Sequence, residues 1–335
     1  MITQHAGLLS HLTRPVARAS AAADRRARSR LPARLGDPAF RLVCLLFALS
    51  VLAIAAVVGF VLYRDSAPAR GAFGFSFLWT STWDPVALRF GALPFVYGTL
   101  ASTAIALAIA VPLGLGAAIC LAELLPSRLA DGLAFLIELL VAVPSVVYGL
   151  VGVFVLVPLM RDFEQAVQPV LGFIPFFAGP AYGIGLLTAG ILLSVMIVPF
   201  IVAVSREVLL AVPQTQRDAA LALGATRWET VRDVVLPYAR SGIFGSVFLA
   251  LARALGETMA VTMVIGNRPE ISASLFAPAH TMAAVLANEF TEATETVYLA
   301  ALVEIGLVLF AITLAVNGIA RVLISGVRGP RTARV

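Results

Sequence analysis

Two opposite charges interrupt one of the most apolar stretches of this sequence. Arg253 and Glu257 stand near the middle of residues 243–266, IFGSVFLALARALGETMAVTMVIG, a run long enough to cross a bilayer as a helix. A charged side chain at the centre of a membrane costs roughly 2.5–3.5 kcal/mol even on a lenient insertion scale. Two such residues in one span predict either a function or a specific pairing.

The types of these two residues suggest anion chemistry. The planar guanidinium fork of Arg253 suits a tetrahedral oxyanion, because its paired N–H donors match the spacing of the oxygens. On one continuous helix, Arg253 and Glu257 would share a face about one turn apart. Two interpretations follow. In one, the pair neutralises itself and fixes the packing of the span; in the other, Arg253 holds an anion transiently and Glu257 prevents overly tight retention.

Two further carboxylates lie inside apolar runs. Glu138 belongs to IELLVAVPSVVYG and Glu304 to LVEIGLVLF. Ionisable residues inside a membrane usually face the bundle interior or a watery path, so both are candidates for the substrate pathway. Both stand nearer to the ends of their runs, so the alternative is a structural partner or a side chain that reaches toward water.

The composition indicates how these residues are positioned. Of 335 residues, 60% are hydrophobic and 13% are charged, whereas soluble domains are about a quarter charged. The runs are too long and too uniformly apolar for barrel strands. We therefore predict an all-α membrane protein with six transmembrane helices, at about 41–62, 98–122, 133–159, 182–205, 238–266 and 296–320.

The arginines predict the orientation of these spans. Of the 24 arginines, 18 fall in segments on the amino-terminal side of the membrane. By the positive-inside rule, both termini are cytoplasmic. No aromatic residue is interleaved with the arginines of the amino-terminal tail, so no nucleic-acid partner is predicted.

The chain contains no lysine, since all 24 of its basic residues are arginine. A P-loop needs its lysine against the nucleotide phosphates. This excludes an ATP site of that kind on this chain, and no other cofactor site is predicted.

The segment 206–237 contains the clearest local sequence signals. Pro213 suits a first helical position, and Gly224 suits the position just after a helix end. Thr226 and Glu229 have the spacing of a capping box, which opens a second short helix. A helix, a glycine turn and a helix are therefore expected on the cytoplasmic face.

The same segment resembles the EAA motif of the membrane subunits of ABC importers. The matching residues are Asp218, Ala219, Ala220, Gly224 and, further on, Leu236 and Pro237. Asp218 stands where that motif has Glu, and Val234 where it has Ile, both conservative departures.

A finer resemblance is to the phosphate-specific permease subunits, and more to the PstC type than to the PstA type. It covers about residues 88–322, through FGALPFVYGTL, IELLVAVPSVVYGLVG, SREVLLAVP, ALALGATRWETV, RALGETMAVTMVIGN and SLFAPAHTMAAVLANEF. It implies a type I ABC importer permease fold without enzymatic activity. The implied organisation is an arginine-rich cytoplasmic tail 1–40, a first transmembrane helix 41–62, an extracytoplasmic loop 63–97, a permease core 98–322 with the coupling loop 206–237, and a cytoplasmic tail 323–335.

The resemblance also implies partners. They are a PstA-like sister permease, two copies of a PstB-like ATPase that uses the ATP, a PstS-like extracytoplasmic binding protein, phosphate and the lipid membrane. In that arrangement the helix at about 213–224 is the coupling helix, and Pro213, Asp218, Ala219, Ala220 and Gly224 would contact the ATPase.

Two rival functions remain open. A permease for sulfate or molybdate would share the EAA loop and the ALGE turn, although GETMAV after the arginine favours phosphate. An ion-coupled secondary transporter would use the buried carboxylates as proton sites and would need no ATPase.

Overall fold

The structure is a computed structural model that describes residues 33–327. Its α-helices, in chain order, are α1 Ala33–Asp65, α2 Ala67–Phe73, α3 Leu93–Ile119, α4 Ser127–Val141, α5 Ser145–Val151, α6 Val157–Leu171, α7 Leu186–Leu210, α8 Gln214–Ala222, α9 Arg227–Thr230, α10 Leu236–Leu255, α11 Met259–Ile265, α12 Met282–Glu289 and α13 Thr296–Val327. Short 3₁₀ turns occur at Gly74–Leu78 and Pro175–Phe177.

Six segments of this part of the chain are long and apolar enough to cross a membrane, as predicted. They are Pro38–Asp65, Leu93–Leu124, Ser145–Leu171, Leu186–Leu210, Arg227–Leu255 and Thr296–Ile324. The chain divides into two compact units, Met1–Val61 and Leu62–Val335. In the first unit, the described part of α1 carries exposed apolar side chains along its length, which suits a lipid environment.

The second unit is built around α7. This helix is largely apolar up to its last two turns, and Leu193, Ile197 and Ile201 on it are fully or almost fully buried. Glycines bring α3 close to it. A Cβ atom at Gly190 would lie 2.5 Å from Ile105 Cγ2, and one at Gly114 would lie 2.8 Å from the side chain of Ile201. The two backbones therefore approach through small residues, as is usual for helices packed in membranes.

Helix α10 runs antiparallel to α7 along another side. The hydroxyls of Ser205 and Ser246 lie 2.7 Å apart and share a buried hydrogen bond. One turn nearer the start of α10, a Cβ atom at Gly242 would lie 2.4 Å from Val208. This register brings the end of α10 beside Phe200, close to the middle of α7.

The predicted loop 63–97 is folded. Its side chains Phe77 and Phe90 are buried in a second apolar cluster with residues of α12 and α13. The indole N–H of Trp83 donates a 2.8 Å hydrogen bond to the Glu289 carboxylate. The segment contains α2 and a 3₁₀ turn, and its last residues from Leu93 already belong to α3.

The predicted third and fifth spans are not continuous helices. The run 133–159 is divided between α4 and α5, because Pro144 lacks an N–H group and disfavours helical geometry in the residue before it. The run 238–266 is divided between α10 and α11 at Gly256. The third membrane-crossing segment consequently begins at Ser145 and extends to Leu171.

Three of the spans contain a π-helical turn, at Cys120–Leu124, Gly152–Leu156 and Val231–Val235. The last of these joins α9 directly to α10. The predicted second short helix of the cytoplasmic loop is therefore wrong as a separate element, since it is the beginning of the fifth span. Of the predicted tails, residues 1–32 and 328–335 lie outside the described part of the chain.

Candidate anion pathway and coupling surface

Arg253 lies in the last turn of α10, near the middle of the bundle. Its guanidinium carbon is 5.0 Å from the centre of the Phe200 ring, a cation–π distance. Its Nε is buried and has no hydrogen-bond partner within residues 33–327. A partly buried guanidinium with an N–H group that has no hydrogen-bond partner can bind an anion.

Glu257 does not share a helix with Arg253, which corrects the expected pairing. Helix α10 ends at Leu255, and the chain turns at Gly256 before α11 begins. The Glu257 carboxylate accepts a 3.3 Å hydrogen bond from the backbone N–H of Ala260 and so caps the start of α11. Arg253 therefore lacks the neutralising neighbour that a continuous helix would give it.

The break between α4 and α5 lies close to the same place. The Tyr148 hydroxyl donates a 2.9 Å hydrogen bond to the Leu140 carbonyl and so bridges the interruption. Helix α5 packs on α11 at Gly149, where a Cβ atom would lie 3.2 Å from the Ala260 Cα. Two interrupted helices thus meet beside Arg253.

Glu138 is exposed and lines a 430 Å³ groove between α4 and α7. Phe200 and Glu207 of α7 also line it. Phe200 is therefore shared between the groove of Glu138 and the cation–π contact of Arg253. The structure thus associates both of these predicted pathway residues with the Phe200 ring.

Glu304 lies elsewhere. It is 6% exposed, and its Oε2 has no hydrogen-bond partner among the described residues. It lines a largely apolar 560 Å³ cavity with Arg70 of α2 and Trp79. None of the lining residues of this cavity belongs to the surroundings of Arg253, so Glu304 is not brought together with the other candidates.

The coupling loop has the helix predicted for it. Pro213 immediately precedes α8, whereas the sequence predicted it as the first helical residue. Gly224 follows the end of the helix and lies in the left-handed region, at φ 89°. The capping box is present. The N–H of Glu229 donates to the Thr226 hydroxyl at 3.3 Å, and the N–H of Thr226 donates to the Glu229 carboxylate at 2.7 Å.

The surface of α8 offers small and apolar groups to a partner. Asp218 and Ala219 are exposed, and Ala220 is partly buried. The Asp218 carboxylate accepts a 3.1 Å hydrogen bond from Gln214 one turn earlier. Leu223 at the tip of the loop is 90% exposed.

The sequence analysis missed several residues of these sites. Phe200 and Tyr148 were hidden because each is one aromatic residue in a long apolar run. The sequence analysis gave Arg217 no role, yet it binds Glu123 at 2.7 Å across 94 positions of sequence. The only local signal for that contact was the position of Glu123, an acidic residue just after the second predicted span.

His280 is the one histidine within residues 33–327, and it is almost completely buried. Its ring packs edge-on against Phe95, with centroids 5.3 Å apart. Burial lowers the pKa of this imidazole to about 4, because the charged form loses its hydration. His280 is therefore neutral at ordinary pH.

Comparison with known proteins places the chain among transport proteins. Residues 110–329 match the family described as binding-protein-dependent transport system inner membrane component. The phosphate transport system permease protein PstC of Mesorhizobium japonicum is 47% identical over 87% of this chain and 90% of its own length. The protein of the same name from Pasteurella multocida is 45% identical over 85% of this chain and 90% of its own. PstC 1 of Mycobacterium tuberculosis is 42% identical over 74% and 76%.

A solved structure shares the fold. The inward-facing MetNI methionine ABC transporter matches with a TM-score of 0.53 and 17% identity, over 74% of this chain and all of the matched chain. The bundle around α7 is thus the permease fold of an ABC importer, as the resemblance implied.

Proposed function

Because this chain belongs to the binding-protein-dependent transport system inner membrane component family and groups with its PstC members, we propose that it forms half of the pathway of an ATP-driven importer of inorganic phosphate. The observation that carries the proposal is the placement of Arg253. Its unused Nε lies between two interrupted helices, beside the middle of the most buried span.

A single arginine in this position suits transient binding of phosphate during transport better than tight binding. Phosphate carries up to two negative charges, and a single guanidinium attracts it without enclosing it. Glu257, just beyond the end of α10, adds a repelling charge that favours release. The carbonyl groups left unpaired at the helix ends do the same, since they carry partial negative charge.

The proposed assembly contains a PstA-like sister permease, two PstB-like ATPase subunits and a PstS-like binding protein. Support for an ATPase partner comes from α8, which protrudes with exposed Asp218, Ala219 and Leu223. Pro213 and Gly224 fix the two ends of this helix. The partner ATPase, and not this chain, would bind ATP.

Uptake by a reconstituted complex tests the proposal. The four kinds of subunit would be placed in proteoliposomes loaded with ATP, and uptake of phosphate, sulfate and molybdate would be compared with that in liposomes loaded with a non-hydrolysable analogue. We expect ATP-dependent uptake of phosphate alone. Preference for sulfate or molybdate would indicate the rival permease, and uptake driven by an ion gradient without ATPase would indicate a secondary transporter.

A further inference from the structure

The coupling helix α8 has almost no apolar anchor. None of its nine residues is buried, and only Arg217 and Ala220 are even partly buried. A surface helix ordinarily keeps its place by burying an apolar stripe. Something else must therefore hold α8 against the transmembrane bundle.

Arg217 supplies that attachment. Its Nη2 lies 2.7 Å from Glu123 Oε1, and its Nε lies 3.3 Å from Glu123 Oε2, which makes a two-pronged ion pair. Only 12% of the arginine side chain and 10% of the glutamate side chain are exposed. Glu123 lies in the π-helical turn that ends the second span.

The same guanidinium also binds the end of the fourth span. Nη2 donates to the Leu209 carbonyl at 2.8 Å, and Nη1 donates to the Val212 carbonyl. Carbonyl groups at a helix end lack partners within the helix and carry partial negative charge, so they favour a cation. One side chain on α8 thus joins the ends of two different spans.

We infer that the Arg217–Glu123 pair is the mechanical link that makes the coupling helix move together with the second and fourth spans. A helix held by apolar packing can slide over its support, because dispersion contacts are not directional. A two-pronged ion pair with two further carbonyl acceptors fixes both the position and the orientation of the helix. Displacement of α8 by the ATPase would then be passed to the ends of α3 and α7 without loss.

This inference rests on the proposed function, and its test measures coupling separately from transport. The assembled complex would be reconstituted, and both phosphate uptake and ATP hydrolysis would be measured for Arg217→Gln and Glu123→Gln. We expect the phosphate moved per ATP hydrolysed to fall roughly tenfold in each, within the usual range of coupling effects. Arg232→Gln is the matched control, because its pair with Asp233 is exposed and joins no second element.

A purely structural role gives a different result. The variants would then assemble in smaller amounts, while each assembled complex would keep the normal ratio of phosphate to ATP. That result would overturn the inference. If the wild-type complex transports no phosphate at all, the proposed substrate fails instead, and the ratio can be measured with the anion that is transported.

A covalent link gives an independent test, because it asks for recovery of coupling and not only for its loss. Cysteines would replace Glu123 and Arg217 in a chain with Cys44→Ser and Cys120→Ser, and a bifunctional thiol reagent as long as the two lost side chains would join them. We expect the unlinked protein to be uncoupled and the linked protein to regain coupled uptake. Loss of uptake on linking, with reversal on reduction, would overturn the inference, since it would show that the two groups must separate during the cycle.

Discussion

At the level of single side chains, Arg253 and Glu257 act separately, because the helix that would have paired them ends at Leu255. A self-neutralising pair would leave little charge for a substrate. Here the guanidinium contacts the Phe200 ring, and the carboxylate caps the next helix. The geometry favours the interpretation in which Arg253 meets the anion.

Arg253→Gln should nearly abolish phosphate uptake while the complex still assembles. The neutral amide keeps some hydrogen bonding but cannot balance a doubly charged substrate, and loss of a charge-assisted bond worth about 3 kcal/mol corresponds to roughly 100-fold. Uptake would be measured per unit of assembled complex. Arg253→Lys is the control variant that keeps the positive charge and loses the planar guanidinium with its paired N–H donors.

Glu257→Gln should be milder, because the amide oxygen still accepts the bond from Ala260. The double variant with Arg253→Gln should be slightly less active than Arg253→Gln alone, by the milder cost of Glu257→Gln, since residues without a shared contact have additive effects. Rescue of uptake in the double variant would instead show that the two charges compensate each other in the membrane.

His280 predicts how stability depends on pH. Its pKa is about 4 in the folded chain and 6.5 for an unperturbed histidine side chain, so the unfolded state binds the proton first. The contribution of neutral His280 to the free energy of unfolding is therefore fully present above about pH 6.5 and is lost as the pH decreases toward 4. Between about pH 7.5 and about pH 5 the loss should be about 2 kcal/mol.

Thermal unfolding of the purified complex at these two pH values measures the effect. His280→Gln removes the titrating group and should reduce the pH dependence, whatever it does to the absolute midpoint. An equal pH dependence in wild type and His280→Gln would exclude His280 as its source.

At the level of elements, the turn after α8 depends on one glycine. Gly224 has φ 89°, and a Cβ atom there would meet nothing within 4 Å. Any penalty for a larger residue therefore comes from backbone conformation alone, about 1–2 kcal/mol for a β-branched side chain.

Gly224→Val should insert normally in the membrane and lose ATP-driven uptake, because the loop reaches the ATPase in the wrong orientation. Gly132→Val is the matched control. Gly132 is helical and exposed, a Cβ atom there also meets nothing within 4 Å, and valine is no worse than glycine in a helix. Full uptake and ATPase copurification in Gly224→Val would argue against a coupling role for this turn.

The elements also show what the sequence could predict. Six spans and the coupling helix were foreseen because long apolar runs and caps are local signals. The break at Gly256 was not, since the apolar run continues beyond Arg253 and Glu257 on both sides and one glycine is common in membrane helices. The contact of Arg217 with Glu123 could not be foreseen, because it depends on how the second and fourth spans pack.

At the level of the whole molecule, the described ends of the bundle differ in their contacts. The loop with α8 follows the last residue of α7, whereas residues 264–279 bind the first residues of α7 through backbone hydrogen bonds such as Leu186 N–H to Ala277 O, 3.1 Å. Residues 222 and 270 consequently lie toward opposite ends. Which end faces the cytoplasm remains the prediction drawn from the arginines.

Labelling of single cysteines tests this orientation. In a chain with Cys44→Ser and Cys120→Ser, a membrane-impermeant maleimide added outside intact cells should label Glu270→Cys. It should label Ser10→Cys, Ala222→Cys and Ala333→Cys only after the membrane is opened, because both termini and α8 are predicted to be cytoplasmic. Labelling of Ala222→Cys in intact cells would reverse the assignment.

The π-helical turns have a consequence for how this chain can change in length. Each holds one residue more than the α-helical path requires. Removal of one residue from Val231–Val235 would restore a regular helix and leave α9 in nearly its present orientation, because the wide turn already absorbs the extra residue. Removal of one residue from the regular part of α10 would instead rotate α9 by about 100° around the helix axis. The chain can therefore lose a residue at this turn and keep the direction of its docking surface.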